Sequence, residues 1–154
     1  MQLSDLNEMQ KMFVDTISTI CKKDYSPEQI KAWVSSIENR QRWTDKLTSQ
    51  HFFIAELDNQ IVGYASLESN DTIDFLYVHK DFQRKGIAER LYREIEKKSM
   101  KSQAKNLYAE VSITAKLFFE KMGFTIIATK SNHIKGVEIL NYNMEKQLKF
   151  NDEI

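Results

Sequence analysis

The sequence predicts an α/β (α+β) fold, a mixed central sheet with helices on both faces. Three observations carry that prediction. The first part of the chain places apolar residues at helical spacing, the middle is a meander of short strands broken by turn dipeptides, and the rest alternates helix and strand. The 154 residues suit one domain spanning 1–154, long enough to bury a core.

Asp5 followed by Glu8 resembles an N-terminal capping pair, and Leu6, Met9, Phe13, Ile17 and Ile20 form an apolar stripe behind it. In "SPEQIKAWVSSI" Ser26 can cap, Pro27 suits the first helical position and Gln29 completes a capping box, with Ile30, Trp33, Val34 and Ile37 on one face. "HFFIAEL", a turn at Asp58-Asn59, "IVGYASLE", a turn at Asn70-Asp71 and "TIDFLYV" read as three strands. Ile87, Leu91 and Ile95 mark a helix and "NLYAEV" a buried strand. Ala115, Phe118, Phe119 and Met122 mark another helix, with Gly123 as its left-handed stop. "FTIIAT" and "VEILNYNM" close the chain as strands. The predicted order is two helices, three strands, helix, strand, helix, two strands.

Lys+Arg and Asp+Glu number 22 each. That balance argues against a general nucleic-acid binder. Cys21 is the sole cysteine, so no internal disulfide forms and a reducing, cytoplasmic setting is expected. The N-terminus has no apolar signal-peptide core and no stretch reaches the roughly 18 apolar residues of a membrane span. His51, His79 and His133 lie far apart, without metal-ligand spacing.

One segment asks for a functional explanation. In "DFLYVHKDFQRKGIAERLYREI" an apolar strand meets a basic loop, one of only 4 glycines, and then a helix. A helix start offers free N–H groups and the positive end of the dipole to an anion, and Gly86 lets the backbone approach it. Neither GxGxxG nor GxxxxGK[ST] is present. By residue type alone the loop is either a phosphate seat or an ordinary solvated turn.

The segment resembles the acetyl-coenzyme A motif of the GCN5-related N-acetyltransferases (GNAT), Q/R-x-x-G-x-G/A after an apolar strand, with Gln83, Gly86 and Ala88 in the three defined places. A second stretch, "SITAKLFFEKMGF", is similar to that family's next strand-helix unit, and "GVEILNYNM" at 136–144 is similar to the closing strand of a bacterial subgroup. The resemblance covers roughly residues 4 to 146. It implies acetyl-CoA as co-substrate, no metal, and a cleft between two splayed parallel strands. The diphosphate would sit on the loop from Arg84 through Lys85, Gly86 and Ile87 to Ala88, and the pantetheine arm along the backbone of Leu76, Tyr77 and Val78. Acetyl would pass directly to an amine of a small molecule or protein. Dimers are common among similar proteins, so a homodimer is possible.

Two positions depart from the pattern. Phe119 stands where many members have an acidic tyrosine, and Ser112 where an asparagine is frequent; both remain on the cofactor side. Phe119 keeps open a second function, a coenzyme A-binding module with little catalysis. Replacement acids and bases are sought in Tyr142, Asp74 and Glu110, the last two being carboxylates in otherwise apolar strands. Alternation puts Asp74 on one face with Leu76 and Val78. Trp43, outside the apolar stripe, is the better candidate for an acceptor wall, with Trp33 and Tyr25 beside it. The family's first strand is expected to be missing or very short here, since only Met1 to Ser4 precede the first helix.

Overall fold

A computed structural model describes residues 2–149. After a short 3-10 turn at Leu3–Asp5 come α1 (Leu6–Ile20), α2 (Pro27–Val34) and α3 (Arg40–Ser49). Three strands follow, β1 (His51–Leu57), β2 (Gln60–Glu68) and β3 (Thr72–Val78). The chain then runs through α4 (Ile87–Lys101), β4 (Asn106–Ser112), α5 (Lys116–Lys121), β5 (Thr125–Ile134) and β6 (Val137–Gln147). Among the described residues no strand precedes α1, as expected. None of the helices there is long and apolar enough to cross a membrane.

The capping box at α2 forms as predicted: Gln29 N–H donates to Ser26 Oγ at 3.1 Å and Ser26 N–H to Gln29 Oε1 at 2.9 Å. α3 is a helix the sequence pattern did not announce. It buries only Trp43 and Leu47, four residues apart, which is too thin a stripe for periodicity to register. Asn39 starts it by accepting from Arg42 N–H. The two hairpin turns place positive φ at Asp58 and Asn59 and at Ser69 and Asn70, the pattern of type I′ turns whose twist suits paired strands. The second turn is thus centred one residue earlier than the expected Asn70-Asp71.

The six strands are ordered β1-β2-β3-β4-β6-β5. All neighbours are antiparallel except β3 and β4, which run parallel and pair only at Thr72↔Tyr108 and Ile73↔Ala109. Beyond those two rows they part. One core lies between the sheet and α1–α3, around Phe13, Ile17, Trp43, Tyr64 and Phe75. The other lies under α4 and α5, around Leu91, Tyr92, Ile95, Phe119 and Phe124. Gly63 sets how closely α4 approaches: a Cβ there would lie 3.0 Å from Ile87, 3.1 Å from Leu91 and 3.2 Å from the Tyr77 carbonyl oxygen. Gly63→Ala is therefore expected to destabilise the protein by about 1–3 kcal/mol through overpacking, read as a lower midpoint in urea unfolding. An unchanged midpoint would mean that α4 moves freely on the sheet.

Candidate functional site

The parting of β3 from β4 opens a cleft of about 1170 Å³. Its lining runs from the loop before α4, along β3, to the ends of β4, β5 and β6 and under α1–α3. A cavity of this size accommodates a large ligand together with a second small one.

At one end lies the loop. Gln83 does not face outward. Its Nε2 donates to the Val78 carbonyl at 2.7 Å and the His79 carbonyl at 3.3 Å, bracing the loop against the end of β3. Arg84 has φ 60 and Gly86 φ 81, so the backbone curls left-handed just before α4. Arg84 bears the strain that only glycine accepts readily. The backbone N–H groups from Arg84 to Ala88 have no partner among the described residues, and no atom lies within 4 Å of the place a Gly86 Cβ would take. That is an open nest of donors at a helix N-terminus, with Arg84 at the cleft and Lys85 exposed beside it, suited to a polyanion. Leu76, Tyr77 and Val78 continue the lining on the β3 edge that β4 leaves free. Opposite them stand Ser112, whose Oγ accepts from Ala115 N–H to start α5, and buried Phe119, which packs edge-on to Phe124.

At the other end the alternation argument for Asp74 fails, for a structural reason. Asp74 and Phe75 together oppose the single residue Ser66, a bulge between the pairs Leu67↔Ile73 and Ala65↔Leu76. Leu76 packs into the α4 core, while the Asp74 carboxylate faces α3 and accepts from Lys46 Nζ at 2.8 Å and Gln50 Nε2 at 2.7 Å. Glu110 accepts from Lys130 at 2.8 Å, Asn132 at 2.9 Å and Asn141 at 2.7 Å. Burial alone would raise its carboxyl, but Lys130 and the two amides hold it below the ordinary carboxylate range. Both carboxylates directly follow the last paired row, Ile73↔Ala109, and flank the point where the strands part.

The aromatic walls exchange the roles the sequence suggested. Trp43 is core, 4% exposed, wedged against Phe13 and Phe75 with its Nε1 donating to the Ser36 carbonyl. Trp33, placed in the core by the stripe, is the less buried of the two, and stacks edge-on to Tyr25. Tyr25 is a bolt: its hydroxyl donates to the Leu140 carbonyl at 2.9 Å and accepts from Ile113 N–H at 2.8 Å. Burial pushes that phenol up to about 12. All three line the cleft, as do Asp74 and Glu110. Tyr142, expected near it, does not. It sits opposite Val111 and packs into the α4–α5 core, with Lys116 above its ring. The alternation that brings Val111 to that core carries Tyr142 with it. Phe13 also lines the cleft, in keeping with its place on the N-terminal helices, as do Lys46, Asn132 and Asn141, which the sequence did not single out. They come from α1, the unannounced α3 and the outer hairpin, and only folding brings these to β3.

Residues 21–147 match the acetyltransferase (GNAT) domain family. Over 143 residues the chain is 31% identical to the uncharacterized N-acetyltransferase YafP of Escherichia coli (strain K12), covering 93% of this chain and 90% of that protein. A crystal structure of a GCN5-related N-acetyltransferase from Rhodopseudomonas palustris superposes with a TM-score of 0.92 at 32% identity, over 96% of this chain and 92% of that one. The fold is shared as well by the PaiA N-acetyltransferase of Thermoplasma acidophilum, solved in complex with coenzyme A, with a TM-score of 0.77 at 19% identity and 96% of each chain covered. With its splayed strands, open donor loop and these relatives, the chain belongs to the GNAT family of acetyl-CoA-dependent N-acetyltransferases.

Proposed function

We propose that the protein moves the acetyl group of acetyl-CoA directly to a primary amine, of a small molecule or of a protein, with both substrates in the cleft together. The observation that carries this reading is the continuity of one cavity, from the free N–H groups at Arg84–Ala88, past the unpaired β3 edge, to the two carboxylates on the α1–α3 face. The coenzyme A held by the PaiA relative agrees with it.

In this reading the N–H groups from Arg84 to Ala88, with the Arg84 and Lys85 side chains, hold the diphosphate. The backbone of Leu76, Tyr77 and Val78 holds the arm, and Ile87, Ala88, Ser112 and Phe119 border it. Acetyl-CoA supplies the activated thioester. Asp74 and Glu110 attract the acceptor's ammonium. A carboxylate held below its ordinary range is a weak base near neutral pH, so Glu110 orients the amine and the proton leaves through the solvent-filled cleft. Trp33 and Tyr25 wall the acceptor, with Trp43 behind them. Tyr142 takes no direct part, since its ring lies in the opposite core.

Phe119 carries no hydroxyl and is buried, which favours as a second reading a coenzyme A-binding module with little turnover. Calorimetry with acetyl-CoA and a thiol-release assay across an amine panel separate the two: tight binding without release by any amine would establish the module.

Gly86→Asp should weaken acetyl-CoA binding at least tenfold, because it combines a strained left-handed φ with a negative charge at the donor loop. Gly136→Asp is its control, with φ +78 and equally open space at the hairpin tip, and should bind normally; equal affinity in both would remove the diphosphate from this loop. Glu110→Gln should raise the KM of the best panel amine about tenfold, the scale of a charge-assisted hydrogen bond, while acetyl-CoA affinity stays as in the parent.

A further inference from the structure

Burial raises the phenols of Tyr25, Tyr64, Tyr77 and Tyr92, and three of the four have committed hydroxyls. Tyr25 donates to Leu140 O, Tyr64 to Met9 O at 3.0 Å, and Tyr92 to Glu96. The Tyr77 hydroxyl makes no hydrogen bond with any described residue. Nor is it an enclosed orphan, since the one such side-chain atom among the described residues is Asn141 Oδ1. An interior phenol ordinarily has a partner. This one opens instead on the cleft that Tyr77 lines.

Its position is well defined. The ring is held on the α1–α3 face by Phe13 at 5.2 Å, Tyr64 at 5.9 Å and Phe75 at 6.2 Å. Its backbone belongs to β3 above the parting point, on the edge that β4 leaves free. Tyr77 therefore bridges the two halves of the cleft, backbone toward the arm and side chain toward the acceptor. The neighbouring polar groups are already engaged: Asp74 by Lys46 and Gln50, Tyr25 by Leu140 and Ile113, Thr16 by the Val78 carbonyl, Thr114 by Asp24. The Tyr77 hydroxyl stands among them as an uncommitted neutral donor.

We propose that Tyr77 is a catalytic residue of acetyl transfer, its hydroxyl donating a hydrogen bond to the thioester of acetyl-CoA and stabilising the negative charge that develops there. This rests on the acetyl-transfer reading above. The amine nitrogen bonds to the acetyl carbon, the carbon–sulfur bond breaks with its electron pair left on sulfur, and the amine's proton passes to solvent water. Burial, with Cys21, Asp74 and Tyr25 nearby, keeps the phenol protonated. It therefore donates a hydrogen bond without giving up its proton.

Tyr77→Phe keeps the ring and removes the donor. By calorimetry the variant should bind acetyl-CoA three- to tenfold more weakly, the value of about one hydrogen bond. It should bind adenosine 3′,5′-bisphosphate, which has no thioester, as the parent does. With the best panel amine, kcat should fall on the order of 10–100-fold, toward the effect of removing an oxyanion donor. Unchanged acetyl-CoA affinity and kcat would overturn the assignment. If no amine in the panel turns over although acetyl-CoA binds, the module reading stands and this inference is overturned with the acetyl-transfer reading. If Tyr77→Phe loses both ligands through misfolding, 3,5-difluorotyrosine at position 77 decides: an alkaline limb of the turnover–pH profile moved to lower pH, as the more acidic phenol loses its proton, supports the donor role, and a profile identical to the parent's overturns it. Failure of the parent itself to bind acetyl-CoA would overturn the acetyl-transfer reading, and this inference with it. Parental binding and turnover that Tyr77→Phe leaves intact would overturn this inference alone.

Discussion

The architecture depends on a buried polar knot under the bulge of β3. Ser66, wholly buried, receives the Phe75 N–H on its Oγ at 3.1 Å and donates to Gln50 Oε1 at 2.7 Å. Gln50 in turn donates to Asp74, which also holds Lys46. Each group satisfies the next, which is the condition for a buried network to rigidify rather than cost stability. Two residues of β3 thereby face one of β2. A bulged strand bends and twists more, and the bend falls directly after Ile73, the last residue of β3 that pairs with β4. The cleft begins where the knot turns the strand away.

From that bend the two faces of the sheet take different work. On the α4 side the chain offers backbone: a left-handed loop with free N–H groups and a strand edge without a partner, both tolerant of side-chain identity. Gly63 seats α4 close to the sheet, and Gln83 with Thr16 secures the Val78 carbonyl at the strand's end. The α1–α3 side offers side chains, with Asp74, Glu110 and Tyr77 projecting among aromatic walls and Tyr25 bolting that wall to the ends of β4 and β6. A cofactor shared across a family suits the first arrangement, and an acceptor that varies suits the second.

Much of this was legible in the chain. Strands with turn dipeptides, the capped α2 and the strand–loop–helix around Gly86 are local features, encoded within a few residues. The parallel pair followed from the family resemblance. α3 escaped because its helix rests on two buried side chains and a cap. Asp74 stands out as a carboxylate in an apolar strand, but alternation puts it on the wrong face, because alternation assumes a regular pleat and the bulge opposite Ser66 breaks it. Tyr142 drew notice for its hydroxyl, whereas its neighbour across the strands, Val111, commits it to the opposite core. Trp43 and Trp33 exchanged exposure because α3 folds back over β3 and buries the first.

By itself the sequence determined the local elements and the strand–loop–helix around Gly86, since hydrophobic period, capping residues and one glycine act over a single turn or strand. The tertiary structure alone decided which side chains meet at the end of the cleft away from the Gly86 loop. Asp74 and Tyr77 on β3, Glu110 on β4, Lys46 on α3 and Asn141 on β6 come from four elements, and their encounter depends on a bulge, a helix crossing and a hairpin register. Those are set by long-range packing, for which no short stretch of residues carries a code.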